Sequence, residues 1–385
     1  MKSGRSALFG SAGQIGVNRG IAEFHARRPV LIRSDAETLL ALPVEGLDAQ
    51  RLAEFAALCA PVMPRLVITA RRAHAIGLEV STPMSLHLAA NVAVAGILSL
   101  VSDADAATDR VIDAEPAGVA AAAAIELVKL SQGLPAALVA EVDAGSVAVS
   151  SLDVIAVEAA AVAHFGAEAV RSLTIASKAW VPLDSGRRAR FVVFRDAMGG
   201  SPTAIIVGKP DFSKPVLVRI HSACLTGDVF GSRRCDCGDQ LNLAIRRLED
   251  VGGGVVLYLA QEGRGLGLAN KIRTYQLQDG GLDTVDANTT LGFDDDERDY
   301  GIAARMLQML DCNSVVLLTN NPAKLDGLVK SGIEVTGRMS LEAPINADNR
   351  RYLTAKAARA GHRLNHLQTP LKPSDAERDE APLAP

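Results

Sequence analysis

Cys224, Cys235 and Cys237 are the residues of this 385-residue chain whose types and spacing most plainly could do chemistry. They form a C-x10-C-x-C pattern within His221-Ser222-Ala223-Cys224-Leu225-Thr226-Gly227-Asp228 and Ser232-Arg233-Arg234-Cys235-Asp236-Cys237-Gly238. Soft thiolates gathered this way suit Zn²⁺, and three protein ligands leave the fourth tetrahedral position open to water. That open position separates a zinc that takes part in a reaction from one that only holds a fold. The spacing alone also fits a structural zinc completed by a distant ligand, or three unrelated thiols. The pattern uses most of the five cysteines present.

Other polar groups fall in short clusters downstream, and predicted elements place them. Residues 216–220 predict a strand that delivers His221 and Cys224 to its end. Leu241, Ala244, Ile245 and Leu248 give 240–251 a helical apolar face, stopped by Gly252-Gly253-Gly254. A buried strand at 255–259 precedes the loop Gln261-Glu262-Gly263-Arg264-Gly265. A helix then runs through Lys271 and Tyr275 to Asp279-Gly280-Gly281, and a charged loop at 294–299 precedes a helix over 300–310. A last strand, 315–318, ends in Thr319-Asn320-Asn321-Pro322 and a helix carrying Lys324. Polar groups at strand ends, ahead of helices, are the habit of α/β sites. Taken singly, Arg264 and Lys324 would be solvated surface charges and Tyr275 a core-edge tyrosine.

Upstream the chain has a different style. Residues 17–181 are rich in Ala and Val, with helical spacing at 49–58 and short apolar runs at 30–32 and 66–69 that read as strands. His74 and His87 read as ordinary structural histidines. The length predicts two domains: an extension at 1–16, a domain at 17–181, a linker at 182–190 carrying Asp184-Ser185-Gly186, a second domain at 191–368 and a disordered tail at 369–385. A formal charge of −4 provides no basic field for nucleic acid. The first twenty residues lack an apolar stretch of signal-peptide type, and the Ala-rich runs are too short to span a bilayer. Cysteines without paired spacing fit a reducing compartment, so a cytoplasmic protein is expected.

The clusters already quoted, with Leu291-Gly292-Phe293 and Asp296-Glu297-Arg298-Asp299, occur in one order with consistent gaps. Together they resemble GTP cyclohydrolase II over residues 216–366, and jointly they are very specific. The resemblance implies an α/β (α+β) domain with a mixed sheet and flanking helices. It implies an enzyme that opens the imidazole ring of GTP, releasing formate and pyrophosphate and forming 2,5-diamino-6-ribosylamino-4(3H)-pyrimidinone 5′-phosphate, the first step of riboflavin biosynthesis. Cys224, Cys235 and Cys237 match the zinc ligands, one ion per chain, whose bound water adds to C8 of the purine. Arg219, Ile220, His221, Ser222 and Ala223 match a GTP-holding stretch, with Arg219 toward phosphate. Gln240, Glu262, Gly263, Arg264, Thr284, Thr319 and Lys324 match further GTP contacts. Asp296 matches a proton acceptor, Arg298 a nucleophile toward the α-phosphorus, and Tyr275 a tyrosine near the ring opening. A guanidinium that stays protonated also suits charge stabilisation at the phosphorus, a simpler role, and at this level both roles stand. Mg²⁺ is expected with the triphosphate.

Residues 17–181 resemble 3,4-dihydroxy-2-butanone-4-phosphate synthase more faintly, at 27–32, 124–130 and 172–176. That family is dimeric, so a homodimer is expected. The catalytic parts are missing: Ser34-Asp35-Ala36-Glu37 replaces a dense acidic run, and Ala120–Ala124 stand where the family carries His, Thr and Glu. Alanine ligates no metal and moves no proton, so no synthase activity is expected, and Asp35 and Glu37 read as surface remnants. Two rivals to GTP cyclohydrolase II activity remain at this level: a relative with a different product or pathway, and a nucleotide-binding regulator without turnover.

Overall fold

The computed structural model describes residues 10–143, 153–359, 361, 364 and 367. The tail expected over 369–385 and the first nine residues of the expected extension lie outside these. Two compact units divide the chain: Met1–Glu168 with Ala269–Leu282 and Asp286–Glu297, and Ala169–Leu268 with Asp283–Val285 and Arg298–Pro385.

The first unit is built on a seven-stranded sheet. Its strands are β1 (Val30–Arg33), β2 (Thr38–Pro43), β3 (Arg65–Ile68), β4 (Met84–Leu88), β5 (Val111–Pro116), β6 (Ala136–Glu141) and β7 (Ala156–Glu158), in the order β5-β4-β3-β6-β2-β1-β7. All neighbours are antiparallel except β1 and β7. Helix Val119–Leu130 lies across β1, β2, β3 and β6. Its buried face is a row of alanines, whose small side chains permit close packing on a sheet. Helix Ala12–His25, capped by the Ser11 hydroxyl on the Gln14 N–H, packs beside it. Glu37 is not a surface remnant: its Oε1 accepts the Ala120 N–H at 3.1 Å and so caps the alanine-rich helix. Asp35 is exposed, as expected.

The second unit holds the mixed sheet. Its strands are β8 (Thr174–Pro182), β9 (Arg188–Arg195), β10 (Thr203–Gly208), β11 (Val216–Ser222), β12 (Gly253–Leu259), β13 (Ser314–Leu318) and β14 (Glu334–Met339), ordered β14-β13-β11-β12-β10-β9-β8. The first four in that order run parallel and the rest antiparallel. Residues 182–190 are therefore not a linker. They close the β8–β9 hairpin, with Pro182 opposite Arg188 and Gly186 at φ +76° in the turn. Turn residues look alike in a linker and in a hairpin, and only the pairing of the flanking strands distinguishes them. By the same pairing, 174–176 open β8 rather than end a strand of the first sheet.

β11 explains how the site is carried. Along its period of two, Val216, Val218 and Ile220 join one apolar core. Leu217, on the other face, packs in a separate core with Leu248 of helix Cys237–Asp250, and Arg219 and His221 continue that row. Because β11, β12 and β13 are parallel, their C-terminal ends, and the loops after them, share one edge.

Candidate active site

The three cysteines meet just past the end of β11. Their sulfurs all lie within 4.8 Å of one another, with Cys224 Sγ 3.7 Å from Cys235 Sγ. Sulfurs on a tetrahedral zinc with bonds of about 2.3 Å stand about 3.8 Å apart, so the spacing suits one ion. Gly227 lies directly against them: a Cβ there would come within 2.9 Å of Cys235 Sγ and 3.0 Å of Cys224 Sγ. Its N–H donates to Cys224 Sγ at 3.3 Å, a bond that favours thiolate. Contact with Cys224 pushes the Cys235 thiol up to about 11, and contact with Cys224 and Cys235, with burial, raises Cys237 well above the usual thiol range. Three crowded thiols resist ionisation together, and a divalent cation removes that resistance. The donor set fits zinc. Cys59 and Cys312 are buried in apolar surroundings that raise both thiols to about 11, and take no part.

Asp228 organises the turn that presents Cys224. Its Oδ2 accepts the Cys224 N–H at 3.0 Å and the Tyr258 hydroxyl at 2.9 Å, and His221 Nε2 lies 3.1 Å from both carboxylate oxygens. His221 stacks on Tyr258 with ring centroids 5.5 Å apart. Burial lowers the His221 pKa against the opposing pull of Asp228, so the imidazole is neutral and donates from Nε2. Its Nδ1 is then a bare acceptor, buried without a protein partner.

A second chain of contacts runs from the loop between Cys235 and Cys237 to the basic end of the site. Lys356 Nζ donates to Asp236 Oδ1 at 3.0 Å, and Gln240 Nε2 donates to Asp236 Oδ2 at 2.5 Å. Gln240 Oε1 in turn accepts from Arg219 at 2.5 Å, and Arg219 also donates to the Leu318 carbonyl at 3.1 Å. Burial raises the Asp236 carboxyl, but Lys356 beside it, with a backbone hydrogen bond and Arg219, more than reverses this and leaves its pKa lowered. Burial lowers Arg219 to about 10, still protonated at neutral pH, and its Nε has no protein partner. Lys324 is buried as well, donating to the Ile220 carbonyl at 2.8 Å.

The remaining sequence-derived residues distribute as follows. Ser222 ends β11 and receives the Arg298 guanidinium at 3.4 Å, which also lies over the Tyr300 ring. The Ala223 N–H donates to the Leu259 carbonyl. Glu262 Oε2 accepts the Leu225 N–H at 2.7 Å, next to Cys224. Gly263 and Arg264 both adopt left-handed backbone, φ +62° and +65°. An arginine held there stores strain of the kind that collects at functional loops. Thr319, at the end of β13, accepts the Asn321 N–H, and Thr284 begins helix Thr284–Thr290. Tyr275 and Asp296 lie on the two late segments that belong to the first unit, where the Lys271 ammonium stands 5.7 Å from the Tyr275 ring centre. Gly227, Asp228, Asp236, Tyr258 and Lys356 were absent from the sequence-derived set. Gly227, Asp228 and Asp236 lie within the quoted motifs, whereas nothing local marks Tyr258 or Lys356.

The family model of GTP cyclohydrolase II matches residues 174–340. A protein of Xylella fastidiosa called GTP cyclohydrolase-2 is 38% identical over 95% of this chain and 92% of its own length. The chain belongs to the GTP cyclohydrolase II family. A GTP cyclohydrolase-2 of Azospirillum brasilense is 47% identical, with the match spanning 62% of this chain and 64% of that protein. A riboflavin biosynthesis protein RibBA of Bacillus mycoides is 55% identical over 42% of this chain and 41% of its own. Among solved structures, RibBX, a two-domain 3,4-dihydroxy-2-butanone 4-phosphate synthase from A. baumannii, aligns with 85% of this chain and 99% of its own at 14% identity and a TM-score of 0.32, too remote to support any conclusion. The cyclohydrolase family match thus begins at the hairpin strand β8, which the second unit contains in full.

Proposed function

We propose that this protein hydrolyses GTP to 2,5-diamino-6-ribosylamino-4(3H)-pyrimidinone 5′-phosphate, formate and pyrophosphate, the entry step to riboflavin. The observation that carries this is the zinc-competent trio Cys224, Cys235 and Cys237 at one edge of the sheet, beside the buried cations Arg219 and Lys324. When bound there, zinc lowers the pKa of water and so supplies a nucleophile for the purine C8 near neutral pH.

The chain's own residues do the rest. Arg219 and Lys324 supply fixed positive charge for the triphosphate, in a dry setting where charge acts strongly. Glu262, pinned by the Leu225 N–H, and Gln240 offer acceptors that distinguish guanine from adenine through N1–H and the 2-amino group. Gly263, Arg264, Thr284 and Thr319, with the Ile220–Ala223 stretch, complete the nucleotide contacts. Arg298 stabilises charge at the α-phosphorus as pyrophosphate leaves, since a guanidinium keeps its proton and makes a poor nucleophile. Asp296 takes the proton of the water that attacks the α-phosphorus as pyrophosphate departs, and Tyr275 orients water at the opening ring. Mg²⁺ arrives with the triphosphate, bridging its phosphate oxygens. No helix among the described residues is long and apolar enough to cross a membrane. A cytoplasmic homodimer is the assembly proposed, on the synthase resemblance of the first half.

The first unit is proposed to lack synthase activity. Ala120, Ala121 and Ala124 are packed in its core, where they ligate nothing. The X. fastidiosa relative, which matches nearly the whole chain, is named for the cyclohydrolase.

Incubation with GTP, Zn²⁺ and Mg²⁺, followed by mass detection of the pyrimidine and assay of formate and pyrophosphate, tests the activity. All three products are expected, and Cys235→Ser is expected to lose both bound zinc and formate release. Zinc-loaded protein that binds GTP and leaves it intact would overturn the proposal.

A further inference from the structure

The loop leading to Asp296 is held by side chains from far upstream, all within the first unit. Thr69 Oγ1 donates to the Gly292 carbonyl at 2.7 Å, Arg71 Nε to Asp294 at 2.7 Å, Arg72 to the Thr290 carbonyl at 2.8 Å, and Lys129 Nζ to Glu297 at 2.9 Å. Arg72 is 1% exposed and spends its other donors on the carbonyls of Ser99, Leu100 and Asp103. One guanidinium thereby ties the end of helix Val94–Ser102 to the end of helix Thr284–Thr290.

The contact is shaped as well as charged. Gly292 has φ +87°, and a Cβ there would stand 2.8 Å from Thr69 Oγ1 and 3.2 Å from Arg72 Cβ. Leu291 and Phe293 on either side are buried. Beyond the turn, Glu297 Oε1 accepts both the Lys129 ammonium and the Asp294 N–H at 2.8 Å. That carboxylate closes a small loop whose interior residues are Asp295 and Asp296. Lys129 and Glu297 are four-fifths withdrawn from solvent, so their pairing is screened less than a surface ion pair. The synthase resemblance leaves Lys129 without a task, because the alanines of its helix remove that chemistry.

We propose that Lys129 and Arg72 are positioning residues for the GTP reaction, fixing the 290–297 loop on which Asp296 is carried. The synthase-like half then serves the cyclohydrolase as a frame for part of its catalytic apparatus, with no reaction of its own. This rests on the proposed role of Asp296.

The test uses the full-length, zinc-loaded protein and four variants: Lys129→Met, Lys129→Arg, Glu297→Gln and the Lys129→Met/Glu297→Gln double. A displaced catalytic group lowers kcat, and here the expected fall in pyrophosphate release is about 10- to 100-fold for Lys129→Met, with KM for GTP, zinc content and Tm close to wild type. Lys129→Arg should recover most of the rate, and the double variant should be no slower than the single ones. Wild-type kcat in Lys129→Met and Glu297→Gln, additive losses in the double variant, or a loss that follows zinc content or Tm would each overturn the proposal. Hydrogen exchange at 294–297 gives a second reading independent of turnover. Protection there should drop in Lys129→Met, and unchanged protection also overturns it. If the wild-type protein itself left GTP untouched while exchange responded as expected, the assigned reaction would fail and the fixing of the loop would stand.

Discussion

Asp228 shows how much a single side chain contributes without touching a metal. It receives three donors at once, from the Cys224 backbone, the Tyr258 hydroxyl and His221, and thereby sets the turn in which Gly227 leaves room for sulfur. Asparagine has the same shape but only one accepting oxygen, and its amide would face a donor. Groups that orient ligands typically account for 10- to 100-fold in metal affinity or activity, so Asp228→Asn is expected to weaken zinc binding or formate release by about that factor. Competition with a chromogenic chelator measures the first and the GTP assay the second. Wild-type values in both would mean that the turn holds its shape without this carboxylate.

At the level of elements, helix Ala347–Arg359 secures the cysteine loop from a distance. Its Lys356 reaches Asp236, and both groups are almost wholly buried. Lys356 also lies over the Tyr352 ring at 4.2 Å. Removing one partner of a buried pair leaves the other charge without compensation, at a cost of about 3–5 kcal/mol. Lys356→Met should therefore lower the stability of the second unit by about that amount, read from the urea midpoint with m unchanged. A smaller shift, below about 1 kcal/mol, would be the behaviour of a solvent-screened pair and would contradict the burial seen here.

Across the whole molecule, the first unit is an intact fold for which we propose no synthase reaction. The helix Val119–Leu130 buries alanine at the positions where the resemblance calls for ligating and acid–base groups, and Glu37 caps that helix. No turnover of ribulose 5-phosphate is expected from the full chain, with or without added Mg²⁺, at enzyme concentrations where GTP is consumed rapidly. Turnover of that sugar phosphate would show that other side chains restore the site.

Motif order made the family and the cysteine trio readable in advance, because thiolate chemistry demands residue types that substitution cannot imitate. Strands β11, β12 and β13 were readable too, since buried parallel strands appear as continuous apolar runs broken by the polar residues they deliver. Local pattern left other matters open. Asp184-Ser185-Gly186 forms a turn in any context, and the pairing of β8 with β9 made it a hairpin. Lys356 lies 120 residues from Asp236, and Lys129 lies 168 from Glu297. Ion pairs of that separation leave no local trace, because their energy comes from burial and distance, which exist only once the chain has folded.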